Sequence, residues 1–177
     1  MNDDFVLIKE IIIPDPPTFY LIKKVKKSKE AGEDVYDKHY LTSNLFYIQN
    51  VSYHVVSKIV YDTKKFLLPF LVGLPEIEKM RTEIEIHRLK DVDLDNVAFF
   101  WRKLILDVLK TPTSKQINNS QKYKKEIITV NCIKDDNTKV VVKNSEEYFY
   151  GEPKLIIRIF GRPKVQQEKL DLFFVND

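Results

Sequence analysis

The chain has few of the residues that build phosphate loops, disulfides or zinc sites. Glycine contributes 4 of 177 residues, and neither GxGxxG nor GxxxxGK[ST] occurs, so glycine-rich nucleotide loops of these two types are excluded. The single cysteine, Cys132, excludes an internal disulfide and favours a reducing compartment. It sits in an apolar run, which predicts a buried, inert thiol. The three histidines form no HxxxH pair, which disfavours zinc.

Long hydrophobic runs are also missing. The longest uncharged apolar run, residues 66–74, is too short to cross a bilayer and contains Pro69. The first four residues include two aspartates and lack the basic start of a signal peptide. We therefore expect a soluble, cytoplasmic protein with no membrane partner.

Composition indicates an ordinary globular protein. The chain is 44% hydrophobic and 31% charged, which is too apolar for a disordered segment. Its net charge of +3 permits a nucleic-acid partner without requiring one. The length suits one domain over residues 1–177. Within it we expect N-terminal strands and a basic loop over 1–44, a mobile basic loop over 111–125 and a polar tail over 162–177.

Hydrophobic periodicity predicts a chain of both helices and strands. The helix over 97–110 is apolar on nearly every face, so it should be buried between neighbours, with one face a candidate subunit interface. A second helix is predicted over 44–70. Strands are predicted over 5–13, 18–25, 80–87, 126–133, 140–142 and 154–160, with a turn over 134–137.

The most informative pattern is Asp93-Leu94-Asp95-Asn96, between the predicted strand 80–87 and the apolar helix. Two carboxylates two residues apart repel, so their closeness calls for a cation, a proton or strong hydrogen bonds. A second acidic pair, Asp135-Asp136, lies at another turn. Acids converging from separate turns are typical of a hard-metal site. The alternative is that Asp93 and Asp95 only cap the helix, whose N-terminus favours negative charge.

One calcium motif is excluded. Asp91, Asp93 and Asp95 alternate as in the first half of an EF-hand loop. That loop needs glycine at its sixth position and a bidentate glutamate at its twelfth, whereas this chain has Asn96 and Arg102 there. An arginine does not ligate calcium, so the EF-hand interpretation fails.

The ordered combination of Asp-Leu-Asp-Asn, an apolar helix and an Asp-Asp turn before a strand resembles the RusA-type Holliday-junction resolvases. The resemblance covers residues 80 to 160, and more weakly the proline-rich stretch 14–17. In that family a lysine and an aspartate follow on the helix, and Lys103 and Asp107 keep their mutual spacing. The inserted turn Val97–Phe100 moves Lys103 away from the acidic turn, which makes Arg102 its rival. The link over 111–133 is longer than the family's.

The resemblance implies an α+β fold with a small mixed sheet and packed helices. It also implies a homodimeric, RusA-like nuclease that resolves four-way DNA junctions by paired phosphodiester hydrolysis. Mg²⁺ would be held by Asp93, Asp95 and Asp136, which with Lys103 form the implied catalytic set. Lys103 or Arg102 would neutralise charge on the phosphate. The basic run over 23–29 and a second set of cations would contact the DNA backbone, namely Arg102, Lys115, Lys122, Lys124 and Lys125.

Two other functions stay open. The inserted turn at Val97–Phe100 favours a non-catalytic DNA-binding or assembly protein that retains the RusA-like fold. A nuclease acting on other branched or flapped DNA is a third, weaker interpretation. Cleavage of a synthetic four-way junction would separate the first two, and parallel substrates would separate the third.

Overall fold

The computed structural model describes residues 5–23, 35–47, 52–88 and 94–163, and for Leu94, Asp95 and Pro163 the backbone alone. Within these ranges the chain forms six strands and four helices. The strands are β1 (Val6–Pro14), β2 (Phe19–Lys23), β3 (Tyr36–Tyr40), β4 (Ile77–Arg88), β5 (Val141–Tyr150) and β6 (Lys154–Pro163). The helices are α1 (Asn44–Tyr47), α2 (Tyr53–Leu71), α3 (Leu94–Leu109) and α4 (Ser114–Tyr123).

The main sheet has four strands in the order β1-β6-β4-β5. β6 pairs antiparallel with β1 and with β4, whereas β4 and β5 run parallel. β2 and β3 form a separate antiparallel pair. The predicted α+β class, with a small mixed sheet and packed helices, is therefore confirmed.

Strand β4 lies inside the sheet, between β6 and β5. Its residues alternate between a buried face and a partly exposed face. Thr82, Ile84 and Ile86 are buried, whereas Glu83 and Glu85 on the other face are partly exposed. A period of two places successive side chains on opposite faces of a strand. The predicted strand over 80–87 is confirmed and is longer at both ends.

Helix α3 supplies the centre of the core. Phe100, Trp101, Leu104 and Ile105 are fully buried, because α3 contacts β4 and β5 on one side and α2 on the other. The predicted burial of this helix between neighbours is confirmed. Truncating such an aromatic side chain to alanine typically costs about 3–5 kcal/mol.

The predicted helix over 44–70 consists of two helices, α1 and α2, and residues 48–51 lie outside the described part of the chain. Ser52 caps α2 by accepting from the Val55 amide, and Gly73 adopts a φ of 83° just after the helix. Positive φ is readily available to glycine and suits a helix end. None of the described helices is long and apolar enough to cross a membrane.

The prediction of a loop over 111–125 is wrong, because residues 114–123 form α4. Thr113 caps this helix by accepting from the Gln116 amide, and the Gln116 side chain accepts from the Thr113 amide. This reciprocal pair satisfies two amides that a helix start otherwise leaves unpaired. Lys124 ends the helix in the left-handed conformation.

The predicted strand over 126–133 is also wrong. Its amides pair with the end of α3 instead, since Val130 N donates to Val108 O at 2.8 Å and Cys132 N to Leu109 O at 2.9 Å. Asn131 has a φ of 57°, which a regular strand does not accommodate. The segment is thus irregular and satisfies the free carbonyls of a helix end. Cys132 is buried as predicted, and burial raises the pKa of its thiol to about 12.

The other strand predictions are confirmed with shifted ends. β1 and β6 correspond to 5–13 and 154–160, and β2 covers the described part of 18–25. β5 continues well past the predicted end at residue 142, because it follows β4 in parallel as far as the pair Arg88–Tyr150. Residues 164–177, most of the predicted polar tail, lie outside the described residues.

Candidate functional site

The last three residues of the acidic tetrapeptide open α3, which begins at Leu94 and not at the predicted residue 97. Asp93 lies outside the described residues, and so does the side chain of Asp95, whose backbone forms part of the first turn of α3. The helix start is anchored through Asn96. Ser43 Oγ donates to Asn96 Oδ1, and the Ser43 amide donates to Asn96 O at 2.7 Å. Buried Ser43 thus fixes the direction in which α3 leaves the acidic turn.

The end of β4, just before the acidic turn, is also held in place. Arg88 O accepts from Gly151 N at 3.1 Å and from the Tyr148 hydroxyl at 3.4 Å. The neighbouring His87 ring stacks on Phe149, with their centroids 4.8 Å apart. Burial lowers the pKa of the Arg88 guanidinium, partly offset by Tyr148, yet arginine keeps its charge in proteins. The backbone at the end of β4 is therefore fixed by two hydrogen bonds, whereas the buried Nε of Arg88 has no hydrogen-bond partner within the described part of the chain.

At the other end of α3, three lysines surround one carboxylate. Lys64 Nζ lies 2.9 Å from Asp107 Oδ2, Lys110 Nζ lies 3.2 Å from Oδ1, and Lys103 Nζ lies 3.7 Å from Oδ2. Burial alone would raise the pKa of Asp107, but attraction to Lys64, Lys103 and Lys110 outweighs it and holds the pKa below its usual value. Asp107 is therefore an ionised, mostly buried counter-ion that leaves the cluster with surplus positive charge.

The Asp-Asp turn joins this cluster. Lys110 Nζ lies 2.9 Å from Asp136 Oδ2, so one ammonium links Asp107 and Asp136. Burial would lower the pKa of Lys110, but the hydrogen bond to Asp136 and attraction to Asp107 raise it above the ordinary value. Asp135 Oδ1 accepts from the Asp136 amide at 2.8 Å, which lowers the pKa of Asp135. The predicted turn over 134–137 is confirmed, and it is fastened to the end of α3.

The structure does not bring Asp95 and Asp136 together within one chain. Asp95 and Asp107 are twelve residues apart in α3, which is about 18 Å along the helix axis. The Asp136 carboxylate shares the Lys110 ammonium with Asp107, at the far end from Asp95. Magnesium binds its oxygen ligands at about 2.1 Å, so one ion cannot reach both residues in the same chain.

The parallel pairing of β4 with β5 has the same consequence. Met80 pairs with Val141 and Arg88 with Tyr150, so the turn before β5 lies at the start of β4. The acidic turn follows the opposite end of β4. In the described part of the chain, no three histidine, cysteine, aspartate or glutamate residues are grouped as metal ligands, and Asp93 is not in that part.

The two predicted phosphate-neutralising cations are both paired. Lys103 contacts Asp107, and Arg102 forms an ion pair with Glu146 on β5. The Arg102 guanidinium also lies 5.5 Å from the Phe99 ring. Arg102 and Lys103 follow Asp95 by about two helical turns, or about 11 Å along the axis. Arg102 would give up part of its pairing with Glu146 to contact a phosphate, whereas Lys103, 3.7 Å from Asp107 and 43% exposed, is held less closely.

A cavity of about 420 Å³ opens beside the lysine cluster. Lys64, Asp107 and Lys110 form part of its wall, and Lys125 lines it from the segment that follows α4. The predicted DNA-binding lysines of this region are all exposed, namely Lys115, Lys122, Lys124 and Lys125. Together with the cavity they give the α4 side of the molecule a basic surface, which we call the α4 basic surface.

Sequence reasoning missed Lys64 and Lys110 as members of a functional cluster. The sequence did contain a signal for the pairing of Lys110 with Asp107, because the two are three residues apart, a spacing at which helical side chains meet. Lys64 carried none, since it reaches Asp107 from a different helix. Comparison of the chain with models of known protein families, with curated proteins and with solved structures finds no match.

Proposed function

We propose that this chain is a RusA-like, magnesium-dependent endodeoxyribonuclease that resolves four-way DNA junctions as a homodimer. One observation carries the proposal: the chain order of β4, the acidic turn, α3, the Asp-Asp turn and β5. In the structure β4 and β5 are parallel neighbours and α3 packs on both. This order of strand, helix and strand around the motif supports the proposal, because the resemblance rests on the same order of elements.

The donor set at the acidic turn fits magnesium. Two carboxylates suffice, because Mg²⁺ is usually bound through one or two carboxylates while water and substrate phosphate complete its shell. Asp93 and Asp95 would hold the ion. Bound there, it would supply an activated water and neutralise charge on the leaving oxygen. Arg102 and Lys103 would contact the phosphate from further along α3, exchanging their present partners for it.

Asp136 enters this proposal through the dimer. Within one chain Asp136 lies at the far end of α3 from Asp95, so only a partner subunit's Asp136 would be able to join the proposed ion. A two-fold axis creates two such shared sites, and a four-way junction has two symmetry-related strands to cut. The α4 basic surface would position the DNA through phosphates without reading bases.

Cleavage of a labelled synthetic four-way junction with Mg²⁺ tests the activity. Wild type should nick it, and Asp95→Asn should reduce the rate by at least about a hundredfold, because the ion loses a ligand. Asp62→Asn is the matched control, since Asp62 is an exposed acid paired with Lys58. Equal inactivity of wild type and Asp95→Asn at every metal concentration would remove the nuclease proposal.

Mixed dimers test the shared site. Asp95→Asn and Asp136→Asn should each be inactive alone, and refolding them together should restore nicking, because one site of the mixed dimer is intact. Restored activity supports the contribution of Asp136 from the partner. Full activity of Asp136→Asn alone would restrict Asp136 to its structural role beside Lys110.

The second candidate is a non-catalytic DNA-binding protein with the same fold. The pairing of Asp136 with Lys110 favours it, because this carboxylate already has a structural partner. Such a protein would bind junctions with the same salt dependence and cut none. Junction binding that persists unchanged in Asp95→Asn, with no cleavage by either protein, would identify this function.

A further inference from the structure

The β2–β3 pair presents an unusual exposed face. Its register places Phe19 opposite Tyr40, Leu21 opposite Lys38 and Lys23 opposite Tyr36, and all six side chains lie on one face by the alternation of a strand. We call these six residues the hairpin face. The opposite face carries Tyr20 and Ile22, which pack against the core. The pair thus has one face for the fold and one face toward solvent.

Large apolar side chains dominate the hairpin face. Phe19 is 38% exposed, Leu21 54%, Tyr36 49% and Tyr40 58%. The Phe19 and Tyr40 rings form an edge-to-face pair, with centroids 6.3 Å apart and planes at 65°. Single exposed apolar residues are normal on a protein surface. Three aromatic rings and a leucine on one pair of five-residue strands form an apolar patch, and such patches mark interaction sites.

The charge of the hairpin face indicates which kind of ligand would bind there. Lys38 Nζ lies 3.9 Å from the centroid of Phe19 and 5.0 Å from that of Tyr40, so a cation already sits among the rings. Lys23 adds a second cation, and Asp37 is on the opposite face because it pairs with Ile22. The six residues include no carboxylate. An acidic ligand with flat apolar groups complements this composition.

We propose that the hairpin face binds an unpaired stretch of single-stranded nucleic acid. Bases would stack on Tyr40, Phe19 and Tyr36, while Lys38 would contact a phosphate. Aromatic side chains on a sheet serve single-strand binding because every base offers a flat face, and lysines track the backbone. The face is about 13 Å long, which suits two or three bases. This inference stands on the hairpin alone and does not depend on nuclease activity.

Fluorescence anisotropy with labelled single-stranded (dT)15, in EDTA and low salt, tests the proposal. Wild type should bind saturably and more tightly than it binds a duplex of the same length. Tyr40→Ala should weaken binding about tenfold, and Lys38→Glu at least as much. Lys143→Glu is the matched control, because Lys143 is exposed and lies on β5. It should change affinity less than about twofold.

Each outcome of this assay either supports the proposal or overturns it. Loss of affinity confined to the hairpin variants, with thermal unfolding unchanged, supports the proposal. The absence of saturable binding would overturn it, as would equal binding by wild type and Tyr40→Ala. If Tyr40→Ala instead converts a dimer to a monomer in sedimentation, the face joins two copies of the chain and the proposal fails. Because the assay contains no metal, its result is independent of whether junction cleavage succeeds.

Discussion

The ammonium of Lys110 lies 2.9 Å from the Oδ2 atom of Asp136, which fastens the Asp-Asp turn to the end of α3. The same ammonium contacts Asp107, so two acids from separate segments share one lysine. Asp136 therefore has a structural role within its own chain, whatever it contributes to a partner. The same contact fixes the turn from which β5 starts beside β4.

Asp107→Asn should destabilise the fold by about 3 kcal/mol, because removing one partner of a buried ion pair leaves the other charges uncompensated. Lys64, Lys103 and Lys110 would lose their shared counter-ion, and the Asp107 side chain is only 14% exposed. Denaturant unfolding followed by circular dichroism measures the change. The control is Asp62→Asn, whose exposed pair with Lys58 should contribute less than about 1 kcal/mol. Equal effects of the two variants would contradict the central role of Asp107.

Acid should remove the stabilisation that Asp107 provides. Its pKa in the folded chain lies below the ordinary value, so its contribution is fully present above the unfolded pKa, about 3.9. The contribution is then lost as pH falls from there through the folded pKa. Wild type should therefore lose more stability than Asp107→Asn between pH 5 and the acid limit of folding, measured by urea unfolding at a series of pH values. Parallel pH profiles would contradict this prediction.

Gly161→Ala should destabilise the sheet by about 1–3 kcal/mol through overpacking. An added Cβ would lie 2.7 Å from Ile77 Cγ2 and 3.3 Å from Ile8 Cγ1, so a buried neighbour must move. The matched control is Gly151→Ala, where the added Cβ meets nothing within 4 Å and the effect should stay below about 0.5 kcal/mol. Thermal unfolding of the two variants measures the difference. If Gly161→Ala leaves stability unchanged, the Ile77 side chain can move aside without cost and the prediction is wrong.

The α4 basic surface should make junction binding depend on salt. Replacing Lys115, Lys122 or Lys124 by alanine should each lower the slope of log affinity against log salt by about 1 if that lysine contacts a phosphate. Affinity should fall for every DNA sequence alike, since phosphate contacts carry no base information. Lys58→Ala on α2 is the control, measured in the same titration series. A flat salt response of wild type would contradict DNA as the partner.

Much of the fold follows from local patterns. The alternation through Thr82, Ile84 and Ile86 predicts β4, and apolar residues on nearly every face between Val97 and Leu109 predict a buried α3. Both patterns reflect the surroundings of each residue, which periodicity reports directly. The sheet order and the parallel pairing of β4 with β5 lie beyond such patterns, because they depend on contacts between distant segments.

The two wrong elements have specific causes. α4 has a polar sequence without a buried face, so its hydrophobic pattern is weak. The pair Thr113 and Gln116 carried the helix signal as a capping box. The run from Ile127 to Ile133 has the composition of a strand, but its amides serve the carbonyls at the end of α3. The apolar composition of this run predicts that it is buried, but it does not predict which groups its amides bond.

The candidate site was predictable only in part. Sequence spacing correctly placed Asp136 at a turn, whereas Asp95 lies in the first turn of α3 and not in a turn before it. It could not show that α3 separates the two, because a resemblance orders residues along the chain and not in space. The ion pair between Lys64 on α2 and Asp107 on α3 is likewise a tertiary contact that no local sequence pattern predicts.

The pairing of β1 with β6 joins residues 6–14 to residues 154–163. During synthesis the first strand leaves the ribosome long before its partner exists. Ile11 and Ile13, both buried in the finished sheet, then stay uncovered until almost all of the described chain has been made. Late sheet closure of this kind makes for slow folding and prolonged exposure to aggregation.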